Sequence, residues 1–269
     1  MSPLWRDEIA IRFAPGELVL TRTRRGIRPT CVGDLRRNVE VFTLTDWHGA
    51  LAVLDSCLRD PAWQRANVRI VLSNHWTRYA IVPWANDITT EEERLAHARI
   101  CLANVYGVAA DQWHVALSQA APGATRVACA IPGDLYDALR STVEANGSRL
   151  VSVQPQLIVS YNGWISHLDD AAGWFVNIDE GSLAAARLVA GGWDRVYCAR
   201  IGTDWSLELQ RLRTFGRLAN SDSGDSRVFV AAPEWLRKLA SGDEEGIVWL
   251  HDESADAGGQ LAVLRRLYI

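Results

Sequence analysis

The chain has 269 residues, a formal net charge of −4, 48% apolar residues and 22% charged residues. These values are typical of a globular protein with a sizeable core, arranged as one large domain or two lobes. They exclude nucleic-acid binding through bulk positive charge. The sequence also contains no run of about 18 apolar residues, the length that predicts a membrane span.

The first part of the chain is predicted to form a strand meander, a helix and a further strand. Apolar and polar residues alternate along the strands, and Pro15-Gly16 marks a turn between the first two. The predicted elements are strands Glu8–Phe13, Glu17–Arg24 and Asn38–Leu44, a helix from Thr45 or Asp46 to Leu58, and strand Val68–Ser73.

A different pattern follows, beginning with alternation over Trp76–Pro83. Thr90 and Glu93 have the spacing of a capping box, which predicts a helix that ends at Gly107. The next predicted elements are strands Gln112–Ser118 and Thr125–Ile131, a helix from Pro132 to Asn146, strand Arg149–Val153 and a helix from Pro155 to about His167.

The last part returns to the order of the first. The predicted elements are strands Trp174–Ile178, Leu183–Ala190 and Asp194–Arg200, helix Ser206–Leu218, strand Arg227–Val230, helix Pro233–Leu239 and strand Gly246–Leu250. Because the same block of elements occurs twice, the sequence predicts a duplicated α/β fold with a cleft between its lobes. The first lobe spans residues 1–153, with an inserted subdomain at about 76–148, and the second lobe spans 154–269.

This layout resembles the actin-like superfamily, and more narrowly the PilM family of type IV pilus assembly proteins and the cytoplasmic domain of the type II secretion L protein. The matching stretches, in family order, are Val71-Leu72-Ser73, Arg78–Pro83, Glu91-Glu92-Glu93, Gln154-Pro155-Gln156-Leu157, Val176–Gly181 and Arg200. The resemblance implies an actin-like, ribonuclease H-like fold of two lobes with a subdomain inserted in the first.

The resemblance also implies where a nucleotide would bind. Asp179, Gly181 and Ser182 match the second phosphate turn and are the candidate cofactor-binding residues; a plain hairpin turn is the alternative interpretation. The stretch that matches the first turn lacks the Asp and contains Pro15 and Glu17. Proline removes an amide donor, and a carboxylate repels phosphate unless a metal lies between them.

The third nucleotide-binding piece is also altered. Ala231 and Ala232 stand where the family has bare backbone beside the base. In addition, the single lysine, Lys238, rules out a Walker-type phosphate loop. We therefore expect a degenerate site with no cofactor. The alternative is an active ATPase or kinase that binds ATP–Mg in the cleft between the lobes.

Aromatic residues favour a second site in the inserted subdomain. Trp76, Tyr79, Ile81 and Trp84 lie on or beside one predicted hairpin, and aromatic side chains often anchor interfaces. Packing in the core of the subdomain is the alternative interpretation. The resemblance implies that these four residues bind a short peptide of a membrane-anchored assembly-platform protein.

The resemblance further implies a cytoplasmic scaffold that is peripheral to the inner membrane. The net charge of −4 gives no reason to expect a nucleic-acid partner. A motor ATPase is a second expected partner, and a homodimer is left open. Arg265 and Arg266 near the end of the chain fit the positive-inside rule. The chain is thus expected to be either a complete PilM-like protein or a piece that ends before a membrane span.

Two other residue groups carry no predicted chemistry. His75, His97 and His114 lack the spacing of a metal site, although His97 and Glu93 share a helix face. The five cysteines are scattered without a C-x-x-C pair, which fits a reducing compartment.

Overall fold

The structure is a computed structural model that describes residues 6–26, 29–40, 43–168, 172–179, 181–189, 192–202, 204–219, 227–239 and 246–250. The chain begins with three strands, a helix and a fourth strand: β1 (Glu8–Phe13), β2 (Glu17–Arg24), β3 (Thr30–Asn38), α1 (His48–Arg59) and β4 (Asn67–Leu72).

The middle of the chain contains four strands and three helices. Their bounds are β5 (Arg78–Val82), α2 (Glu91–Tyr106), β6 (Trp113–Leu117), β7 (Arg126–Pro132), α3 (Gly133–Ala145), β8 (Arg149–Pro155) and α4 (Gln156–Trp164). The capping box is confirmed, because Thr90 Oγ1 accepts the Glu93 N–H and Glu93 Oε2 accepts the Thr90 N–H.

The last part contains five strands and two helices. Their bounds are β9 (Gly173–Asp179), β10 (Ser182–Val189), β11 (Gly192–Arg200), α5 (Trp205–Ala219), β12 (Arg227–Ala231), α6 (Glu234–Leu239) and β13 (Ile247–Trp249).

The two five-stranded sheets have the same topology. Their strand orders are β3-β2-β1-β4-β8 and β11-β10-β9-β12-β13, so in each sheet the first, fourth and fifth strands of the repeat are adjacent. The central strands β1 and β9 pair in parallel with β4 and β12 and are buried along their whole length. The sequence predicts β9 from its largely apolar run and β1 from its alternation, although the polar residues Glu8 and Arg12 of β1 are buried as well.

The helices follow the same repeat. α1 and α5 each connect the third strand to the fourth, and α3 and α6 each precede the fifth. The core of the first sheet includes Leu54 of α1 and Leu135 and Leu139 of α3, all fully buried. Leu209 and Leu212 of α5 are fully buried against the second sheet. The predicted duplicated α/β order is therefore confirmed.

The third strand of the first meander differs from the prediction. The strand predicted over Asn38–Leu44 is wrong where the structure describes that stretch, because Val39, Glu40, Thr43 and Leu44 lie outside any strand. Strand β3 instead covers Thr30–Asn38 and is mostly exposed. An exposed edge strand has no buried face, so it has no apolar alternation to reveal it.

By contacts, the described residues divide into two compact units. The first unit comprises residues 6–77 and 131–159 and contains the first sheet with α1 and α3. The second unit comprises residues 78–130 and 160–250 and contains the second sheet together with β5, β6, β7 and α2. We call residues 78–130 the three-stranded subdomain.

The three-stranded subdomain interrupts the first repeat in sequence but packs with the second sheet. Its sheet has the order β5-β7-β6, and β5 contacts β11. Thr125 Oγ1 donates a hydrogen bond of 2.7 Å to the Trp193 carbonyl of β11. Within the described residues, no helix is both long and apolar enough to cross a bilayer.

Candidate functional site

The three predicted cofactor-binding residues lie together in the turn between β9 and β10. Asp179 and Ser182 end and begin these strands, pair directly across the turn and are 4% and 5% exposed. Gly181 has a φ of 71°, a conformation that glycine adopts without strain, and its carbonyl accepts the Ile201 N–H at 3.1 Å. The buried Ser182 Oγ has no hydrogen-bond partner among the described residues.

The corresponding turn of the first sheet has a different chemistry. Glu17 forms ion pairs with Arg12 at 3.4 Å and with Arg36 at 2.9 Å. Two guanidinium groups therefore balance the carboxylate that would otherwise need a metal beside a phosphate. No cluster of three or more His, Cys, Asp or Glu side chains that could hold a metal ion occurs in the described ranges.

The third nucleotide-binding piece lies at the end of β12. Ala231 is 6% exposed, and the half-buried Ala232 packs against the core of the second sheet. Both methyl groups thus occupy space that bare backbone would leave open.

Trp76 is a core residue of the first unit. It is 3% exposed, its ring centroid lies 5.2 Å from that of Phe13, and its Nε1–H donates to the Thr45 carbonyl at 3.2 Å. A side chain with its ring covered and its N–H paired is not available as a surface anchor.

Tyr79 is also buried, with 3% of its surface exposed. The Tyr106 hydroxyl donates to the Tyr79 carbonyl at 3.1 Å and accepts the Tyr79 N–H at 3.4 Å. Burial, the largest cause, raises the pKa of Tyr106 above its ordinary range. These bonds to the Tyr79 backbone hold the end of α2 against β5, and the burial of its side chain gives Tyr79 a structural role.

Ile81 and Trp84, the other two predicted partner-binding residues, are partly exposed. Trp84 borders a pocket at one end of the three-stranded sheet, where Val82 ends β5, Leu117 ends β6 and Arg126 begins β7. The pocket has about 290 Å³ of empty space, part of it open to solvent. We call it the Trp84 pocket; its remaining lining comes from Pro83, Ala85, Ile88, Arg94, His97 and Ala124.

The wall of the Trp84 pocket combines apolar surface with positive charge. Glu91 Oε1 lies 2.7 Å from Arg94 Nη1 and 3.7 Å from Arg126 Nη1. The Trp84 Nε1–H donates to Asn86 Oδ1 at 2.7 Å, which leaves the faces of the indole ring for apolar contact. This arrangement suits a ligand that has an apolar group next to an anionic one.

Arg94 and Arg126 were not predicted from the sequence as site residues. Arg94 and His97 lie one turn apart on α2, which is a weak signal because many exposed helix faces carry such residues. Nothing local indicates that Arg126 would lie beside them. Glu93, considered with His97 as a metal face, uses Oε2 for the capping bonds to the Thr89 and Thr90 N–H groups.

Comparison of the sequence with known proteins does not identify a family. No family model matches the chain, and no curated protein matches it.

Solved structures match over almost the whole chain. A Bacteroides thetaiotaomicron protein, described as having an actin-like ATPase fold and unknown function, is 12% identical with a TM-score of 0.62, covering 97% of this chain and 96% of that one. A PilM–PilN type IV pilus biogenesis complex gives 13% identity and a TM-score of 0.65, covering 96% of each chain.

The third similar structure is the cytoplasmic domain of EpsL, an inner-membrane component of the Vibrio cholerae type II secretion system. It gives 11% identity and a TM-score of 0.57, covering 97% of this chain and 93% of that one. Together with the repeated sheet topology, these matches confirm the predicted actin-like α/β fold and its likeness to PilM and the L protein.

Proposed function

We propose that this protein is a scaffold of a type IV pilus or type II secretion assembly platform that binds a short peptide of a membrane-anchored partner. Its place would be the cytoplasmic side of the inner membrane, where a motor ATPase is a further candidate partner and a homodimer a candidate state. The proposal depends mainly on the Trp84 pocket, carried by an actin-like fold that resembles the PilM–PilN complex and EpsL.

The geometry of the pocket favours side-chain insertion as the mode of binding. Val82, Leu117 and Ala124 supply apolar surface at the sheet end, and Trp84 supplies a ring face. An apolar peptide side chain that enters such a pocket gains roughly 1.5 to 3 kcal/mol from leaving water. One anchor of this size, with polar contacts around it, is consistent with a scaffold that binds a short peptide.

We also propose that the nucleotide site is degenerate. The support is that Glu17 is ion-paired with Arg12 and Arg36, and that Ala231 and Ala232 fill space with methyl groups. The alternative is an active ATPase or kinase that binds ATP–Mg. It is favoured by the Asp179 turn and by the buried Ser182 hydroxyl, which has no hydrogen-bond partner among the described residues.

Site-specific photocrosslinking in the native cells tests the scaffold function. A benzophenone amino acid at Ile88, which lines the Trp84 pocket, is expected to crosslink the cytoplasmic tail of an inner-membrane protein. The control position is Val151, an exposed residue of β8 in the other unit. The crosslink is expected to weaken when Trp84→Ala is combined with the Ile88 probe.

Mass spectrometry of the crosslinked product identifies the partner peptide. Crosslinks of equal strength at Ile88 and Val151, or crosslinks at Ile88 to water-soluble proteins alone, would count against the proposed function.

A further inference from the structure

We infer that the peptide bound in the Trp84 pocket carries an aspartate or glutamate within a few residues of its apolar anchor. This inference rests on the proposed peptide-binding function and adds the chemistry of the partner. The carboxylate would be held by Arg126 and Arg94, and the apolar side chain would lie against Trp84.

Arg126 supplies the first argument. Its side chain is 14% exposed, and its Nε–H is buried without a hydrogen-bond partner among the described residues. Arginine stays charged at every accessible pH, so the group cannot lower its cost of burial by losing a proton. A buried charged donor without an acceptor is unfavourable, and a ligand carboxylate beside the guanidinium group would offset its positive charge.

Glu91 supplies the second argument, because it satisfies the two arginines only in part. Its side chain is 73% exposed, and its Oε1 lies at 2.7 Å from Arg94 but at 3.7 Å from Arg126, beyond hydrogen-bond distance. An exposed ion pair of this kind is weak and easily exchanged. One carboxylate facing two guanidinium groups leaves a local positive charge for a second carboxylate.

Glu93, two residues after Glu91, is not available as a second carboxylate for the two arginines. Glu93 Oε2 accepts the N–H groups of Thr89 at 2.9 Å and Thr90 at 3.0 Å, which commits it to the helix cap. A carboxylate from a bound peptide would supply the second acceptor that Glu93 does not provide.

The apolar half of the pocket determines which side chain of the peptide lies next to the carboxylate. Pro83, Ile88 and Leu117 line it together with Trp84, and these apolar surfaces suit an aliphatic side chain. A nucleic-acid strand is disfavoured, because the chain has a net charge of −4 and Glu91 lies at the rim of the basic pair.

Fluorescence polarisation with defined peptides tests the inference. The probes are labelled peptides of Gly and Ser that contain one Leu, followed at the next, second or third position by Asp, Asn or Lys. We expect the best Asp peptide to bind about tenfold more tightly than its Asn counterpart, the usual effect of a charge-assisted bond. Lys peptides are expected to bind weakest.

Two variants assign the preference to the pocket. Arg94→Glu and Arg126→Glu are expected to abolish the preference for Asp and favour Lys, while Arg140→Glu, an exposed change on α3 in the other unit, retains it. Circular dichroism and melting temperature check that each variant is folded. Arg94 is partly exposed, so its variant remains informative if Arg126→Glu does not fold.

Each outcome decides the inference. Equal affinity for Asp and Asn peptides, a preference for Lys, or no binding up to about 1 mM peptide overturns it. The crosslink at Ile88 is a separate readout: if it persists when the Asp preference is absent, the peptide-binding function stands and only the carboxylate specificity fails.

Discussion

The two five-stranded sheets share one topology but differ at the first residue of their central strands. In the first sheet this residue is Glu8, which pairs with Asn67 of β4; in the second it is Gly173, which pairs with Arg227 of β12. Glu8 is 1% exposed, whereas a Cβ built on Gly173 would lie 2.4 Å from the Arg227 carbonyl oxygen.

The environment of Glu8 explains how a carboxylate is buried there. Glu8 Oε2 accepts a hydrogen bond of 2.7 Å from Arg25, and Glu8 Oε1 forms an ion pair with Arg69. At the other end of the sheets, the turns differ as well, with an ion-paired Glu17 in the first and the buried Asp179 and Ser182 in the second. The topology is therefore set by the buried apolar strands, and the polar strand ends are free to differ.

The largest expected effect comes from Gly173→Ala. The added methyl group would clash with the backbone of Arg227, so β9 and β12 must separate locally. We expect a loss of about 3 kcal/mol in the free energy of unfolding, measured by urea denaturation.

Gly33→Ala is the matched control in the first sheet, since its Cβ would meet only Trp63 side-chain atoms at 3.7 and 3.8 Å. Equal losses for the two variants would contradict the view that β9 and β12 approach more closely than a side chain allows.

The next effect comes from Glu8→Ala, which leaves Arg25 and Arg69 without their shared carboxylate. Because both arginines are partly exposed, we expect a loss of roughly 2 kcal/mol, below that of a fully enclosed pair. The measurement is again urea denaturation. Glu17→Ala, at the more exposed end of the same sheet, is expected to lower the free energy of unfolding by less than half as much. A larger loss for Glu17→Ala than for Glu8→Ala would contradict the greater role assigned to Glu8.

A smaller effect concerns the three-stranded subdomain, which has no counterpart in the second repeat. Hydrogen bonds from the N–H groups of Thr90, and then Thr89, hold the pKa of Glu93 below its ordinary range. A depressed folded-state pKa contributes stability that is present above the unfolded pKa and is lost as the pH falls through the folded value.

We therefore expect the melting temperatures of wild type and Glu93→Gln to converge as the pH falls from about 5 to about 3. Differential scanning calorimetry measures both proteins over this range. Glu92→Gln removes a charge from the same helical turn without removing a capping bond, and its offset from wild type should stay nearly constant. Divergence of wild type and Glu93→Gln at low pH would contradict the capping role.

The smallest expected effect is that of ATP with magnesium on thermal stability. A ligand that binds only the folded state raises the melting temperature. Because the first turn carries the ion-paired Glu17 in place of a phosphate-binding Asp, we expect no such rise at millimolar nucleotide. A rise that Asp179→Ala abolishes would instead support the ATPase alternative.

Much of the fold could be predicted because its determinants are local. The capping box of Thr90 and Glu93, the alternating pattern of β1, the apolar run of β9 and the turn glycines Gly16 and Gly181 act within a few residues. Strand β3 was misplaced because it pairs through its backbone at an exposed edge, where side chains carry no alternating pattern.

The candidate site could be predicted only in part. The sequence indicated an aromatic cluster, and Trp84 does border a pocket. Trp76, in the turn before β5, and Tyr79 of β5 are buried instead. The sequence does not distinguish these cases, because an aromatic residue looks the same whether a core or a partner covers it. The lobe boundaries at 153 and 154 and the inserted range of about 76–148 stay predictions, although α3 packs in the first core.

The sequence by itself determined the order of the elements and their repetition, since periodicity, caps and turns are properties of neighbouring residues. Only the tertiary structure decided which side chains meet. Arg94 and Arg126 are far apart in the chain, yet they share Glu91 beside Trp84 because the start of β7 and the first turns of α2 lie at the same end of one sheet. Such a meeting depends on long-range packing, which no local pattern encodes.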